Sequence, residues 1–102
     1  MARELKDLVR TALSDGAQGV TFKAGERPVI HTAKGWHSVD DVLPDETEVW
    51  ELLRQVMSSR DVRRLREGEP VYFQHKFENS IGILVGAKLL NHNLQVELRR
   101  LR

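Results

Sequence analysis

Residues 16–28 read GAQGVTFKAGERP, and within them the spacing of apolar residues changes from helical to alternating. Upstream, Leu5, Leu8, Val9, Ala12 and Leu13 stand at i, i+3, i+4, i+7 and i+8, one face of an amphipathic helix. Gly16 is placed to end that helix, because the residue just past a helix end is commonly held at positive φ, where a Cβ is unwelcome. Val20 and Phe22 then alternate with Thr21 and Lys23, which predicts a strand, and Ala24-Gly25 predicts the turn that closes it.

Further on, residues 29–32 (VIHT) read as a second short strand, Lys34-Gly35 as a turn, and residues 36–39 as a third strand. Asp45 followed three residues later by Glu48 is an acidic form of the capping box, and Val49, Leu52, Leu53 and Val56 keep helical spacing behind it. Ser58 with Asp61 predicts a fresh N-cap and a short third helix through Val62 and Leu65, closed near Gly68. From Val71 the period is two again. Val71, Phe73 and Phe77 alternate with Tyr72, Gln74 and Lys76; Ile81, Ile83, Val85, Ala87 and Leu89 define the next strand, and Leu94, Val96 and Leu98 a last one. Asn79-Ser80 and Asn91-His92-Asn93 are turn-prone junctions, so the final third reads as an antiparallel meander. The expectation is an α+β domain: a predominantly antiparallel sheet of about six strands with three helices on one face, a PAS-like arrangement formed by residues 1–102 as a single domain.

Bulk composition narrows the function classes. The chain has 102 residues, enough for one core, with 40% hydrophobic and 30% charged residues, a balance that suits a folded globule. A net charge of +1 without a concentrated basic block argues against nucleic acid as the partner. Without cysteine there is no thiolate nucleophile and no thiolate metal site. The charged N-terminus lacks the apolar core of a signal peptide, and no apolar run reaches membrane-spanning length, so membrane insertion is not expected.

Each candidate site has a plain structural reading beside a functional one. His31, His37, His75 and His92 share no i, i+4 spacing, so a metal site would need convergence in space, and surface or half-buried histidines are the reading adopted. Asp40-Asp41 and Asp45-Glu46 surround a helix start, where carboxylates cap free N–H groups and favour the positive end of the dipole. Arg60, Arg63, Arg64 and Arg66 form a basic run on the third helix, a solvated face or a docking surface for an acidic partner. Most telling is the segment at 82–90. Where a half-covered strand should turn polar residues outward, it turns Gly82, Leu84, Gly86 and Leu90 outward. Either the protein itself covers this face, or another domain or subunit does. Trp36, beside a hairpin turn, suits an interface anchor if exposed and a core residue otherwise.

Taken together, these elements and their punctuation resemble the N-terminal domain of the type IV pilus and type II secretion ATPase family, a PilT-like N-terminal domain. Residues 16–22 fit its Gly-Ala-Ser-Asp-aliphatic-His-aliphatic opening, 25–28 its Gly-x-Pro-Pro turn, 43–46 its Leu-Thr-Pro-Glu-Glu helix start, 69–73 its Glu-x-aliphatic-aromatic strand, and 94–99 its terminal aliphatic-x-Leu-Arg strand. The polar residues depart from the pattern. Gln18-Gly19 replaces Ser-Asp, Thr21 replaces the histidine, His31 stands near the hairpin arginine, and residues 82–86 (GILVG) replace an Arg-Phe-Arg-aliphatic-Asn strand whose arginines lie near nucleotide. Neither glycine nor leucine can spread charge over a phosphoryl group as a guanidinium does. The Gly-x-x-x-x-Gly-Lys-Ser/Thr pattern is also absent from the chain.

The resemblance therefore implies a non-catalytic, cytoplasmic protein-interaction or regulatory module of bacterial pilus or secretion machinery, with no cofactor and no metal. Its partner would be a pilus or secretion ATPase, a cytoplasmic regulator or a second copy of itself. The residues expected to make that contact are Trp36, Ile83, Leu84 and Leu90, with Arg60, Arg63 and Arg64 as an electrostatic fringe. Two alternatives stand beside it: the first domain of a longer ATPase continuing past Arg102, and a PAS-like nucleotide or small-molecule sensor.

Overall fold

A computed structural model describes residues 5–39, 44–77, 81–91 and 93–101 of the chain. The expected features at Asp40, Asp41, Leu43, Asn79, Ser80, His92 and Arg102 lie outside the described residues.

Helix α1 (Leu5–Ser14) buries Leu8, Val9, Ala12 and Leu13, four of the five residues of the predicted stripe; the side chain of Leu5 lies outside the described residues. It ends as the sequence requires. Gly16 has φ +90, its N–H donates to the Leu13 carbonyl at 3.2 Å, and the Ala17 N–H donates to the Ala12 carbonyl at 2.9 Å, the paired bonds of a Schellman ending. Strands β1 (Gly19–Lys23), β2 (Val29–Thr32) and β3 (Gly35–Ser38) follow, the last beginning and ending one residue earlier than expected. Helix α2 (Glu46–Val56) starts on a complete capping box: the Asp45 carboxylate accepts from the Glu48 N–H at 2.8 Å while the Glu48 carboxylate accepts from the Asp45 N–H at 3.5 Å. In helix α3 (Ser59–Arg66) the Ser58 hydroxyl accepts from the Asp61 N–H at 3.2 Å, and a second Schellman pair closes the helix through Gly68 and Glu69. Strands β4 (Val71–Phe77), β5 (Ile81–Leu90) and β6 (Asn93–Arg100) complete the chain.

All six strands form one sheet in the order β3-β2-β1-β6-β5-β4, each neighbouring pair antiparallel. Two meanders, one from each end of the chain, are thus joined at the centre by β1 and β6, with Val20 opposite Leu98 and Phe22 opposite Val96. Because side chains alternate along a strand, this register places Val20, Phe22, Val71, Ile83, Val85, Ala87, Leu94, Val96 and Leu98 on one face. All of them are buried, and they form one core with the stripes of α1 and α2 and with Leu65 of α3. Full burial of each of the larger side chains, the valines, leucines, Ile83 and Phe22, contributes about 1.5–3 kcal/mol. No polar or charged residue among those described is buried in this core, so the layer is held by apolar contact alone.

Arg100 interrupts the alternation usefully. Its guanidinium donates to the carbonyl of Ala17, at 3.0 Å, and to that of Leu13, tying the end of β6 to the end of α1. The Leu13 carbonyl belongs to the last helical turn, where acceptors lack intrahelical donors.

Candidate functional site: the open face of the sheet

The helices cover one face of the sheet, and among the described residues no element covers the other, here called the open face. Register alone gives its composition. One row across all six strands reads Trp36, His31, Gly19, Arg99, Leu84 and Gln74; the next reads Ser38, Val29, Thr21, Glu97, Gly86 and Tyr72. These are positions where water is the default neighbour, yet Trp36 is 64% exposed and Tyr72 68% exposed, the two largest apolar surfaces among the described residues.

At the β3 end, Trp36 lies flat against His31 with ring centroids 4.2 Å apart and planes 6° from parallel. The hairpin makes this pair, since Thr32 opposite Gly35 brings the residues on either side into register. Beside it the surface dips. Gly19, the next position in the row, carries no side chain, and the resulting groove of about 330 Å³ runs between Trp36 and His31 on one side and Arg99 on the other. Glycine is required there by space, because a Cβ on Gly19 would stand 2.8 Å from the Leu98 carbonyl oxygen. Arg99 does not reach into the groove as a lone cation; its guanidinium pairs with Glu97 of the same strand at 2.8 Å.

The β5 end answers the question raised by Gly82, Leu84 and Gly86. No described helix covers them. Instead the ring of Tyr72 lies over Gly86, so that a Cβ there would meet Tyr72 Cε1 at 3.0 Å, and Leu101 sits beside Gly82 at 3.8 Å from the same hypothetical atom. Leu84 between them is half-buried, and Leu90 at the far end of β5 is 49% exposed. The outward glycines are thus partly roofed by neighbouring side chains on their own face.

Of the residues expected to make contact, Trp36, Leu84 and Leu90 stand on this face. Ile83 does not. It is 0% exposed, one position out of phase with Leu84, and packs in the core with Val85 and Leu65, so it offers no surface to a partner. The arginine run lies elsewhere too. Helix α3 packs through Leu65 on the covered face, and its exposed Arg60, Arg63 and Arg64 therefore point away from the open face. Arg64 is engaged by Glu69 at 2.8 Å, and that hydrogen bond and charge raise its pKa above the usual arginine value. Arg66 lies 5.4 Å over the ring of Trp50, a cation–π contact that covers a half-buried tryptophan. Sequence reasoning passed over Tyr72 and the His31–Trp36 stack. An aromatic at an outward strand position marked the first, and the two-residue hairpin loop marked the second.

Among the described residues, no three of the histidine and acidic side chains converge as metal ligands, and no helix is long and apolar enough to cross a membrane. His37, the one outer-strand histidine on the opposite side from Trp36, bonds the Thr32 hydroxyl at 3.2 Å.

No family model and no curated protein matches the sequence. Solved structures do match the fold. Over 98% of its length the chain superposes on part of the pilus retraction motor PilT, known with bound ADP, at a TM-score of 0.81 and 20% identity. The Legionella pneumophila ATPase DotB matches over 96% of the chain at a TM-score of 0.78 and 19% identity. The chain spans 29% of the first protein's length and 28% of the second's. At this identity the likeness is one of fold, and it agrees with the resemblance read from the helix ending and turns of residues 16–28: the chain has the α+β fold of one module of the ATPases PilT and DotB.

Proposed function

We propose that this domain is a non-catalytic docking module of the kind that pilus and secretion ATPases carry N-terminal to their motor domain, and that its open sheet face is the docking surface. The observation that carries the reading is the asymmetry of the sheet. One face is closed by three helices over a continuous core, while the other presents Trp36, Tyr72, Leu84 and Leu90 among small residues. Aromatic anchors beside a shallow groove are what interface centres are built from. The absence of a Walker pattern from the chain supports a binding role rather than hydrolysis. In this reading the domain works in the cytoplasm against the motor domain of a pilus or secretion ATPase, and His31 is a support for Trp36.

Titration of the chain against the purified motor domain of a pilus or secretion ATPase from the same cell tests this. Saturable binding is expected, lost in Leu84→Asp and weakened in Trp36→Ala with the circular dichroism spectrum unchanged. Binding that survives both substitutions places the contact elsewhere, and no binding to any such motor refutes the reading.

The coverage of PilT and DotB supports a second reading, in which the same face docks in cis as one domain of a longer ATPase polypeptide. A Walker lysine in the same natural polypeptide, found by mass spectrometry of the native protein, distinguishes it from a free adaptor.

A further inference from the structure

The two edges of the sheet differ. Edge strand β3 has four residues, Gly35–Ser38. At the opposite edge β4 runs for seven, Val71–Phe77, in unbroken register with β5 from Val71 opposite Ala87 to Phe77 opposite Ile81, and no described strand pairs with its outer side. A long regular edge presents a row of backbone donors and acceptors to any extended chain. Most of the usual protections are missing from its interior, where Lys76 on the open side is the one Lys, Arg, Asp or Glu. There is no bulge in the β4–β5 register, Pro70 precedes the strand rather than interrupting it, and Val71, Phe73 and His75, which face the covered side, include no Lys, Arg, Asp or Glu. Phe73 is only half-buried there, although it packs against the core, and no described strand lies beyond it at the edge.

We infer that β4 is a dimerisation edge, pairing antiparallel with β4 of a second copy about a two-fold axis through Gln74 to make one continuous twelve-stranded sheet. The sequence of the strand selects this occupant and this register. Gln74 is the midpoint of the seven residues, so only this centre pairs all of them, and a two-fold interface must be complementary to itself. On the open side it sets Tyr72 opposite Lys76 of the second copy, twice by symmetry, with the two Gln74 side chains between. An ammonium beside a phenol ring is a favourable cross-strand neighbour, and no like charges face each other. On the covered side Phe73 meets His75 of the second copy, twice by symmetry, which adds to the burial of the half-buried Phe73. Shifting the centre to His75 would set the two His75 rings against each other and leave Val71 and Tyr72 outside the strand pairing. This contact uses the edge and not the groove at Trp36, and it shares only Tyr72 with the docking reading above, whose own test rests on Trp36 and Leu84.

The test is sedimentation velocity of the 102-residue chain over a dilution series, with two substitutions at one position. Tyr72→Lys puts lysine opposite Lys76 at both symmetric positions and is expected to weaken the dimer on the order of tenfold. Tyr72→Glu removes the same ring but puts a carboxylate opposite Lys76, and is expected to leave the dimer as tight as the parent or tighter. Amide exchange in 71–77 should slow with rising concentration in the parent and in Tyr72→Glu. A parent that stays monomeric at every concentration overturns the proposal. So does equal weakening by both substitutions, which would mean that the aromatic surface rather than the strand pairing holds the copies together, and so does a dimer indifferent to both.

Discussion

Three glycines on the open face differ in what a methyl group would meet, and they make a quantitative test of the sheet's central seam. At Gly19 an added Cβ stands 2.8 Å from the carbonyl oxygen of Leu98, a backbone atom held in the β1–β6 ladder. Neither strand can yield without opening the pair that joins the two meanders. Gly19→Ala is therefore expected to cost about 1–3 kcal/mol, the usual range for forced overpacking, which for a domain of this size lowers the Tm by roughly 5–20 °C. Gly82 offers the opposite case, since its Cβ would touch only the Leu101 side chain at 3.8 Å, an ordinary contact. Gly82→Ala should stabilise by about 0.5–1 kcal/mol, because the unfolded chain loses freedom and nothing is displaced. Gly86 lies between: its Cβ would meet the Tyr72 ring at 3.0 Å, and that exposed ring can swing aside. Gly86→Ala should fall within about 0.5 kcal/mol of the parent, as for an open surface site. Urea denaturation of the three variants, with matched m-values, reads the series directly. If Gly19→Ala proved as stable as Gly82→Ala, the close approach of β1 to the Leu98 carbonyl would not be what places glycine at residue 19.

The remaining predictions concern the caps, the core and the separation of the two faces. Asp45→Ala removes the acceptor for the Glu48 N–H and should cost about 0.5–2 kcal/mol, while Asp45→Ser retains most of it; equal midpoints in urea for Ala and Ser would refute the capping role. Arg100→Met keeps the apolar stem but loses the bonds to the Ala17 and Leu13 carbonyls, and should destabilise by about 1–2 kcal/mol with faster amide exchange at Gly16 and Ala17. Ile83→Ala, at a fully buried site, should cost about 2–5 kcal/mol. Its half-buried neighbour Leu84→Asp should cost less, about 1 kcal/mol, the span of strand preferences; thermal melts of the pair check that adjacent residues of β5 serve opposite faces.

Much of the fold was legible because its signals are local. The stripe from Leu8 to Leu13, the glycine that ends it, the Asp45–Glu48 box and the Ser58 cap each depend on residues within a few positions of one another, and each formed as its chemistry requires. Alternation along 71–77 and 81–90 likewise told which residues share a face, since the strand period is two whatever the sheet around it. Alternation does not say which face the helices take, but core residues must be apolar, and Val85 and Ala87 against Lys88 settled that for β5. The same reasoning should have excluded Ile83 as a contact residue, for it shares the phase of Val85.

What the tertiary structure decided is the joining of distant parts. Pairing β1 with β6 brings Gly19 against Arg99 across 80 positions of sequence, and no local pattern encodes that partnership. From it follow the groove beside Trp36, the demand for glycine at residue 19 and the anchoring of α1 by Arg100. Tyr72 over Gly86 is decided the same way, by a register between strands. Local sequence set which elements form, because hydrogen bonding and side-chain period act over a turn or a strand; only the folded sheet set which side chains meet on its open face, because that depends on strand order and register across the whole chain.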